Sequence, residues 1–198
     1  MKFTTSAIIA TSVALASATP IDGGAVPKFD GNGVFRVMAI RSGSDIQYAN
    51  IQAATGGLRI NYPKQNSSCS EPDINYASFT LSQDTGDLYL YTANPPLQAY
   101  VDRSGMGQGV LQFSTGAQPI GRNQERGPFK IDEDGNLVFA AANGVVGFQA
   151  CPNALGGGYS VWLAGATNPG GNSNCVGFVA KALKEDPRVK CHYSGMST

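Results

Sequence analysis

The sequence predicts an all-β protein, a single compact domain of about twelve short strands held together by disulfide bonds. From residue 35 onward, short apolar runs alternate with turn residues, which is typical of all-β proteins. Asp134-Gly135 and Asn143-Gly144 lie between such runs, and both dipeptides favour tight hairpins because they tolerate positive φ. The segment Leu88-Tyr89-Leu90-Tyr91 alternates with the period of two expected of a strand.

The first 18 residues have the organisation of a secretory signal peptide. Lys2 gives a positive start, an apolar run follows from Ala7 to Ala16, and Ala16-Ser17-Ala18 ends it, so we predict cleavage after Ala18. The run is shorter than the roughly 20 apolar residues that a membrane-spanning helix needs. Residues 19–33 are rich in Gly and Pro and predict a flexible lead-in. The single β-rich domain then covers residues 34–198.

The strands are predicted where apolar runs lie between turn signals. Turns are expected at Ser42-Gly43, at Asp84-Thr85-Gly86-Asp87 and at Asp134-Gly135-Asn136. Because Trp162 lies between Val161 and Leu163 in one of these runs, we expect it to pack in the core rather than to form a ligand platform. The predicted strands are 35–40, 46–51, 58–61, 78–81, 88–92, 98–102, 110–114, 129–131, 137–140, 146–150, 160–163 and 176–180.

A weak internal repeat favours a β-trefoil-like arrangement of these strands. The segment 79–91 (FTLSQDTGDLYLY) resembles the segment 129–139 (FKIDEDGNLVF), 50 residues further on, and 46–60 is a fainter third copy. Three units of four strands each would form a trefoil. Because only two copies are well matched, another β-barrel or a sandwich remains the alternative.

Charge and composition exclude several classes of function. Lys and Arg total 14 and so do Asp and Glu, and only 14% of the residues are charged. A nucleic-acid-binding protein needs a basic surface that displaces counterions from phosphates, so we expect no nucleic-acid partner. The C-terminus is polar from residue 190, whereas a glycolipid anchor signal needs a hydrophobic tail. We therefore expect no membrane anchor.

The four cysteines indicate two disulfide bonds in an extracellular protein. Four cysteines allow three pairings. We expect Cys69 to pair with Cys151, and Cys175 with Cys191, because the second bond would hold the C-terminal tail. No Cys-x-x-Cys spacing is present, and one His cannot complete a zinc-finger pattern, so we predict no metal site. Asn66-Ser67-Ser68 is an N-glycosylation sequon in a polar stretch, and we expect Asn66 to carry the glycan.

The sequence contains no convincing set of catalytic residues, and we predict neither an enzyme nor a cofactor. A Ser- or Cys-based hydrolase needs a histidine base, and His192 lies only six residues before the C-terminus, where chains tend to fray. Acidic residues could serve a glycosidase, but Asp132, Glu133 and Asp134 fall in a predicted turn, where acids are common.

The stretch 102–109, Asp-Arg-Ser-Gly-Met-Gly-Gln-Gly, is the most distinctive in the chain. Its glycines resemble a phosphate loop, but no Lys-Ser/Thr pair follows and a strand comes next, so it is a poor nucleotide site. One interpretation is a long hairpin turn in which Asp102 accepts hydrogen bonds from backbone amides. The other makes Asp102, Arg103 and Gln108 contacts to a sugar or a partner protein.

With these residues, the chain resembles the PhiA family of fungal cell-wall proteins over most of its mature length. The run of residues 102–109, together with the preceding Tyr100-Val101, is the most specific part of the resemblance. The other stretches that carry it are 37–44 (VMAIRSGS), 46–48 (IQY), 66–69 (NSSC), 88–91 (LYLY), 115–119 (TGAQP), 151–153 (CPN) and the region 168–175.

The resemblance implies a secreted, wall-associated protein of a filamentous fungus that takes part in forming phialides and asexual spores. Family members are also similar to known fungal allergens. The family supplies no catalytic or cofactor-binding residues for this chain. The partners implied are wall polysaccharide or other wall proteins.

Three hypotheses follow for the function. The first is a non-enzymatic wall protein, rich in β-structure, disulfide-bonded and glycosylated at Asn66, which non-covalent contacts retain in the wall. The second is a carbohydrate-binding, lectin-like module that recognises wall polysaccharide. The third is a small enzyme that acts on polysaccharide through a pair of acidic residues that would include Asp102.

Overall fold

A computed structural model describes residues 28–92 and 94–196. The predicted signal peptide, residues 1–18, and most of the predicted lead-in lie outside this part. The described residues form sixteen strands and one short 3-10 turn, Pro169–Gly171. The strands are β1 Phe35–Ile40, β2 Ile51–Ala54, β3 Gly57–Ile60, β4 Ser67–Cys69, β5 Ser78–Leu81, β6 Leu88–Leu90, β7 Leu97–Asp102, β8 Val110–Thr115, β9 Gln124–Glu125, β10 Phe129–Ile131, β11 Leu137–Ala141, β12 Gly144–Val146, β13 Phe148–Cys151, β14 Tyr159–Leu163, β15 Val176–Lys184 and β16 Cys191–Tyr193.

Nine of the described strands close into an antiparallel barrel. Their order is β3-β14-β13-β15-β1-β5-β6-β7-β8, and β8 pairs back to β3. Strand β2 extends the sheet from β3, and β9 extends it from β7. Strands β10 to β12 form a separate three-stranded sheet, and β4 pairs with β16. The all-β prediction is confirmed.

The trefoil and the number of strands are not confirmed. The two similar segments do form matching hairpins, because Phe79 pairs with Leu90 in β5–β6 and Phe129 pairs with Phe139 in β10–β11. The first hairpin lies in the barrel, whereas the second lies in the separate sheet. The sequence similarity therefore reflects a common hairpin and not a threefold arrangement.

The predicted strand at 46–51 is a turn over most of its length. Its first residues form turns, and β2 begins only at Ile51. Tyr48 adopts a left-handed conformation with φ 63°, and its N–H donates to the carbonyl of Ala39 at 2.9 Å. Ile46 is nevertheless fully buried, which explains the apolar pattern that predicted a strand.

The barrel interior is filled by alternate side chains of the strands. In β1, Phe35, Val37 and Ala39 are buried while the residues between them are partly exposed. Phe35 lies against Phe79 of the neighbouring strand, with 5.9 Å between the ring centroids. Burial of apolar surface on this scale is the main source of stability in such a fold.

The expected disulfide pairing is wrong. Cys69 is bonded to Cys191, and Cys151 is bonded to Cys175. Strand pairing explains both bonds: Cys191 lies directly opposite Cys69 in β16–β4, while Cys151 ends β13 and Cys175 precedes β15, its neighbour. A disulfide does hold the C-terminal segment, as expected, but its partner is Cys69. Within the described ranges, we find no helix that is both long and apolar enough to span a membrane.

Candidate functional site

The connection between β7 and β8, residues 103–109, is a hydrogen-bonded loop of defined shape. The N–H of Gly109 donates to the carbonyl of Asp102 at 2.7 Å, and the N–H of Gln108 donates to that of Ser104 at 2.9 Å. Only glycine fits at 107, because a Cβ there would lie 2.2 Å from Cγ of Asp102. The glycines of this stretch therefore serve close packing within the loop.

The carboxylate of Asp102 is directed into this loop. Its Oδ1 accepts from the N–H of Ser104 at 2.8 Å, and its Oδ2 accepts from the side chain of Gln124 at 3.2 Å. Partial burial raises the pKa of Asp102, but these hydrogen bonds outweigh burial and hold that pKa below its usual value. The stretch forms the hairpin turn of the first interpretation, in which a backbone N–H, that of Ser104, donates to Asp102.

Arg103 and Gln108 line a cavity of about 420 Å³ beside the loop. Leu163 and Ala164, at the end of β14, and Val146 of β12 supply its apolar wall, and Ser104 and Thr167 add hydroxyl groups. The Nε of Arg103 lies 3.9 Å from a carboxylate oxygen of Glu125, a loose and exposed pair. An arginine, an amide and hydroxyls around an apolar wall can bind a polar ligand by hydrogen bonds.

The loop that follows β14 forms the other side of this cavity. The N–H of Gly170 donates to Oε1 of Gln108 at 2.6 Å. Gly170 also lies against the Trp162 ring, since a Cβ there would come within 2.7 Å of Cη2. Trp162 itself is buried, as expected of a core residue. In the sequence this loop belongs to the region 168–175 of the family resemblance, but its turn run Asn168-Pro169-Gly170-Gly171 did not mark it as a candidate site.

A larger cavity, of about 710 Å³, is lined by Lys28, Arg36, Lys181 and Lys184 together with Asp30. Two of its four cations have a hydrogen-bond partner among the described residues. Lys28 forms an ion pair with Asp134 at 3.0 Å, and Lys181 donates to the backbone carbonyl of that residue. Asp30 is the acid among the lining residues, so the lining keeps an excess of positive charge.

Asn66 is exposed at the start of β4. Its backbone carbonyl accepts a hydrogen bond from the N–H of Ser194 at 2.8 Å, which joins the sequon to the C-terminal segment. The side chain lines an open cavity of about 610 Å³ together with Tyr62 and Lys64. A glycan on this side chain would therefore extend over the surface near the C-terminus.

His192 and Asp132 are two further residues that the sequence analysis weighed for catalysis. His192 is exposed on β16, far in sequence from the acidic turns. Asp132 accepts from the N–H groups of Asp134 and Asn136 at 2.9 and 2.8 Å, so it stabilises the β10–β11 turn. Over residues 28–92 and 94–196, no group of three or more His, Cys, Asp or Glu could hold a metal ion.

Comparison with known proteins finds relatives along the whole chain. A family described as PhiA-like secreted protein matches residues 35–194. The cell wall protein phiA of Emericella nidulans is 41% identical over 196 residues, which cover 98% of this chain and 100% of that protein. The protein of the same name from Aspergillus fumigatus is 42% identical over 188 residues, 94% of this chain and 98% of its own. That of Arthroderma benhamiae is 32% identical over 197 residues, 95% of this chain and 98% of its own. No solved structure matches the chain.

Proposed function

The chain belongs to the PhiA-like secreted protein family, and on that premise we propose that it is a non-enzymatic component that contributes to wall structure and to the development of phialides and conidia. The protein is secreted and located in the cell wall. One observation carries the proposal: the relatives that match this chain over nearly their full length are named cell wall proteins.

The hydrogen bonding of Asp102 and Asp132 supports a non-enzymatic role. Ser104 and Gln124 donate to the two oxygens of Asp102, and hydrogen bonds within the β10–β11 turn reach both oxygens of Asp132. A glycosidase needs one carboxyl group that stays protonated to act as an acid, and these hydrogen bonds favour the ionised form instead. Incubation with chitin, β-glucan and mannan should release no reducing ends. Turnover that disappears in Asp102→Asn would contradict the proposal.

Retention in the wall is proposed to rest on non-covalent contacts with polysaccharide or with other wall proteins. The test is a pull-down of the secreted protein on insoluble chitin, β-glucan and mannan and on isolated walls, with elution by soluble oligosaccharide. A structural component should remain in walls when simple sugars are added. Complete loss from walls in a mild salt wash would contradict the proposal.

A lectin-like module is the second candidate, favoured by the cavity that Arg103 and Gln108 line. A lectin should bind one polymer and be released by the matching sugar. Arg103→Ala and Gln108→Ala should then weaken binding, while Asn143→Ala, an exposed amide outside this cavity, should not. If the protein binds none of the three polymers, the lectin hypothesis is wrong. Retention in the wall would then rest on contacts with other wall proteins.

We also propose that Asn66 carries an N-glycan. The exposure of the side chain and the polar sequon support this. Treatment of the secreted protein with an endoglycosidase should lower its mass, and Asn66→Gln should abolish the change. An unchanged mass in the wild-type protein would contradict glycosylation without affecting the wall role.

The developmental role rests on family membership. Deletion of the gene in the producing fungus should reduce the number of phialides and conidia, and the wild-type gene should restore them. Normal conidiation in the deletion strain would contradict this part of the proposal.

A further inference from the structure

A further cavity lies at the base of the β2–β3 hairpin, and its chemistry differs from that of the three described above. It measures about 400 Å³ and is lined by Asn50, Gln52, Asn61, Tyr62 and Asn75. These five residues define the amide cavity. Four carboxamides and one tyrosine surround it, and none of the lining residues is charged. Its volume falls in the range of small-molecule sites.

Hydrogen bonds fix the wall of the amide cavity before any ligand binds. Gln52 is buried, its Nε2 donates to the carbonyl of Tyr62 at 2.7 Å, and its Oε1 accepts from the N–H of Tyr62 at 2.7 Å. Asn75 donates to the carbonyl of Pro63 at 3.2 Å and accepts from the N–H of Gln65 at 2.8 Å. A wall held in this way loses little conformational entropy on binding.

Some polar groups of the amide cavity have no hydrogen-bond partner within the described residues. The carboxamide of Asn50 has no hydrogen-bond partner within the described residues, and its Oδ1 is buried. Asn61 donates from Nδ2 to the carbonyl of Asp45 at 3.0 Å, which leaves its Oδ1 as an acceptor. The buried Oδ1 of Asn50 is out of reach of a ligand, so Asn50 offers the donor of its Nδ2 beside the acceptor of Asn61. A hydroxyl group matches this set because it donates and accepts at once.

We propose that the amide cavity binds an uncharged sugar unit of wall polysaccharide. This proposal deepens the proposed function and rests on it, because it names the class of polymer that the wall protein contacts. The lining contains no charged residue. Phosphate and carboxylate groups are bound most strongly by Arg and Lys, so a ligand of that kind is disfavoured here. The half-buried ring of Tyr62 supplies an apolar surface beside the carboxamides.

The amide cavity and the cavity at Arg103 lie at opposite ends of β14. Tyr159, the first residue of β14, pairs with Ile60, which precedes Asn61 in the amide cavity. Leu163, the last residue, lines the other cavity. Four residue steps of a strand span about 13 Å. Two ligands could therefore bind without contact with each other.

The test is a titration of the secreted, disulfide-bonded protein, followed by amide proton and nitrogen NMR. The probes are soluble oligosaccharides of chitin, β-glucan and mannan, with polygalacturonate as the charged counterpart. At least one neutral oligosaccharide should shift the resonances of Asn50, Asn61 and Tyr62 in a saturable manner. Polygalacturonate should leave them unchanged.

Single substitutions test whether the sugar binds at the amide cavity. Asn50→Leu keeps a similar volume and removes a side chain that makes no hydrogen bond in the described part, so the fold should persist while affinity falls at least tenfold. Asn143→Leu, an exposed amide in the β11–β12 turn, should bind as the wild type does. Binding that is lost in Gln108→Leu but kept in Asn50→Leu would place the sugar at the other cavity and overturn the proposal.

The sugar titration and the wall-retention experiment test the two proposals separately. If no neutral oligosaccharide shifts these resonances at millimolar concentration while the protein stays in isolated walls, the sugar site is wrong and the wall role stands. If the wild-type protein is not retained in walls at all, the proposed function fails, whatever the titration shows.

Discussion

Gln65 takes the place that a neighbouring strand would occupy at the outer edge of β2. Its side chain is only 1% exposed, accepts from the N–H of Ala53 at 3.3 Å and donates to the carbonyl of Tyr76 at 2.7 Å. A buried backbone group without a partner is costly, so one side chain here satisfies two such groups.

Replacement of this side chain should therefore destabilise the protein strongly. Gln65→Ala leaves the N–H of Ala53 and the carbonyl of Tyr76 unpaired and opens a void, and we expect a loss of about 2–4 kcal/mol in the free energy of unfolding. Chemical denaturation measures it. Lys64→Ala, an exposed neighbour, is the control and should change stability by less than about 0.5 kcal/mol. Equal losses in both variants would contradict this role.

Asp102 and Asp132 make the stability depend on pH. Burial raises the pKa of Asp132, but hydrogen bonds from Asn136 and Asp134 outweigh it, and its pKa lies below the usual value, as does that of Asp102. A carboxyl whose pKa is lower in the folded state stabilises the fold above its unfolded pKa of about 3.9. That contribution is lost as the pH falls through the lower, folded pKa.

Urea unfolding at pH 7 and again below pH 4 should therefore show lower stability in acid. The difference should be smaller in Asp132→Asn, whose side chain does not titrate. An unchanged difference between the two pH values in this variant would show that Asp132 is not among the groups responsible.

Among the elements, the C-terminal segment depends most on a single bond. Strand β16 pairs with the three residues of β4 and forms one further bridge, from Cys191 to Thr92, and the Cys69–Cys191 disulfide joins β16 to β4. The side chains of Val189, Tyr193 and Met196 are buried beneath the segment. Tyr193 accepts from the N–H of Ser78 at 3.1 Å, which ties the segment to the barrel strand β5.

The two disulfides should differ in their contribution to stability. The Cys69–Cys191 bond closes a loop of 122 residues and the Cys151–Cys175 bond one of 24. In the chain-entropy model these loops correspond to about 5 and about 3.5 kcal/mol. Replacement of both cysteines of a pair by serine should thus lower the free energy of unfolding more for the first pair. Trypsin should also cut at Arg188 and Lys190 more rapidly in that variant. The reverse order of stabilities would contradict the prediction.

For the whole molecule, one core connects the barrel with the two small sheets. The same cluster of buried residues contains Phe113 of the barrel, Phe139 of the three-stranded sheet and Tyr193 of β16. Domains with one core unfold cooperatively. Calorimetry of the secreted protein should show one transition whose calorimetric and van't Hoff enthalpies agree. Two separate transitions would show that the small sheets unfold independently.

The sequence predicted the β-class well because its main signal is local. Eleven of the twelve predicted segments lie in strands over most of their length, and the alternation in β1 matches its buried face. The short polar strands β4, β9 and β16 were missed, because Ser67, Gln124 and His192 carry no apolar signal. They become strands only because a long-range partner supplies their hydrogen bonds.

The candidate sites could be predicted only where their residues are neighbours in the sequence. The 102–109 loop is one continuous stretch, so its glycines and polar residues could be recognised together. The amide cavity draws on β2, on the end of β3 and on Asn75, and only the fold brings these residues together. The disulfide pairing likewise depends on strand register, which the spacing of cysteines does not contain.

The bond between Cys69 and Cys191 also sets an order of events during biosynthesis. Cys191 follows Cys69 by 122 residues, so Cys69 is synthesised long before its partner. Until Cys191 is made, the Cys69 thiol is open to exchange with Cys151 or with the enzymes that form disulfides. A chain truncated before residue 191 keeps this thiol unpaired. Formation of this bond therefore depends on synthesis of β16.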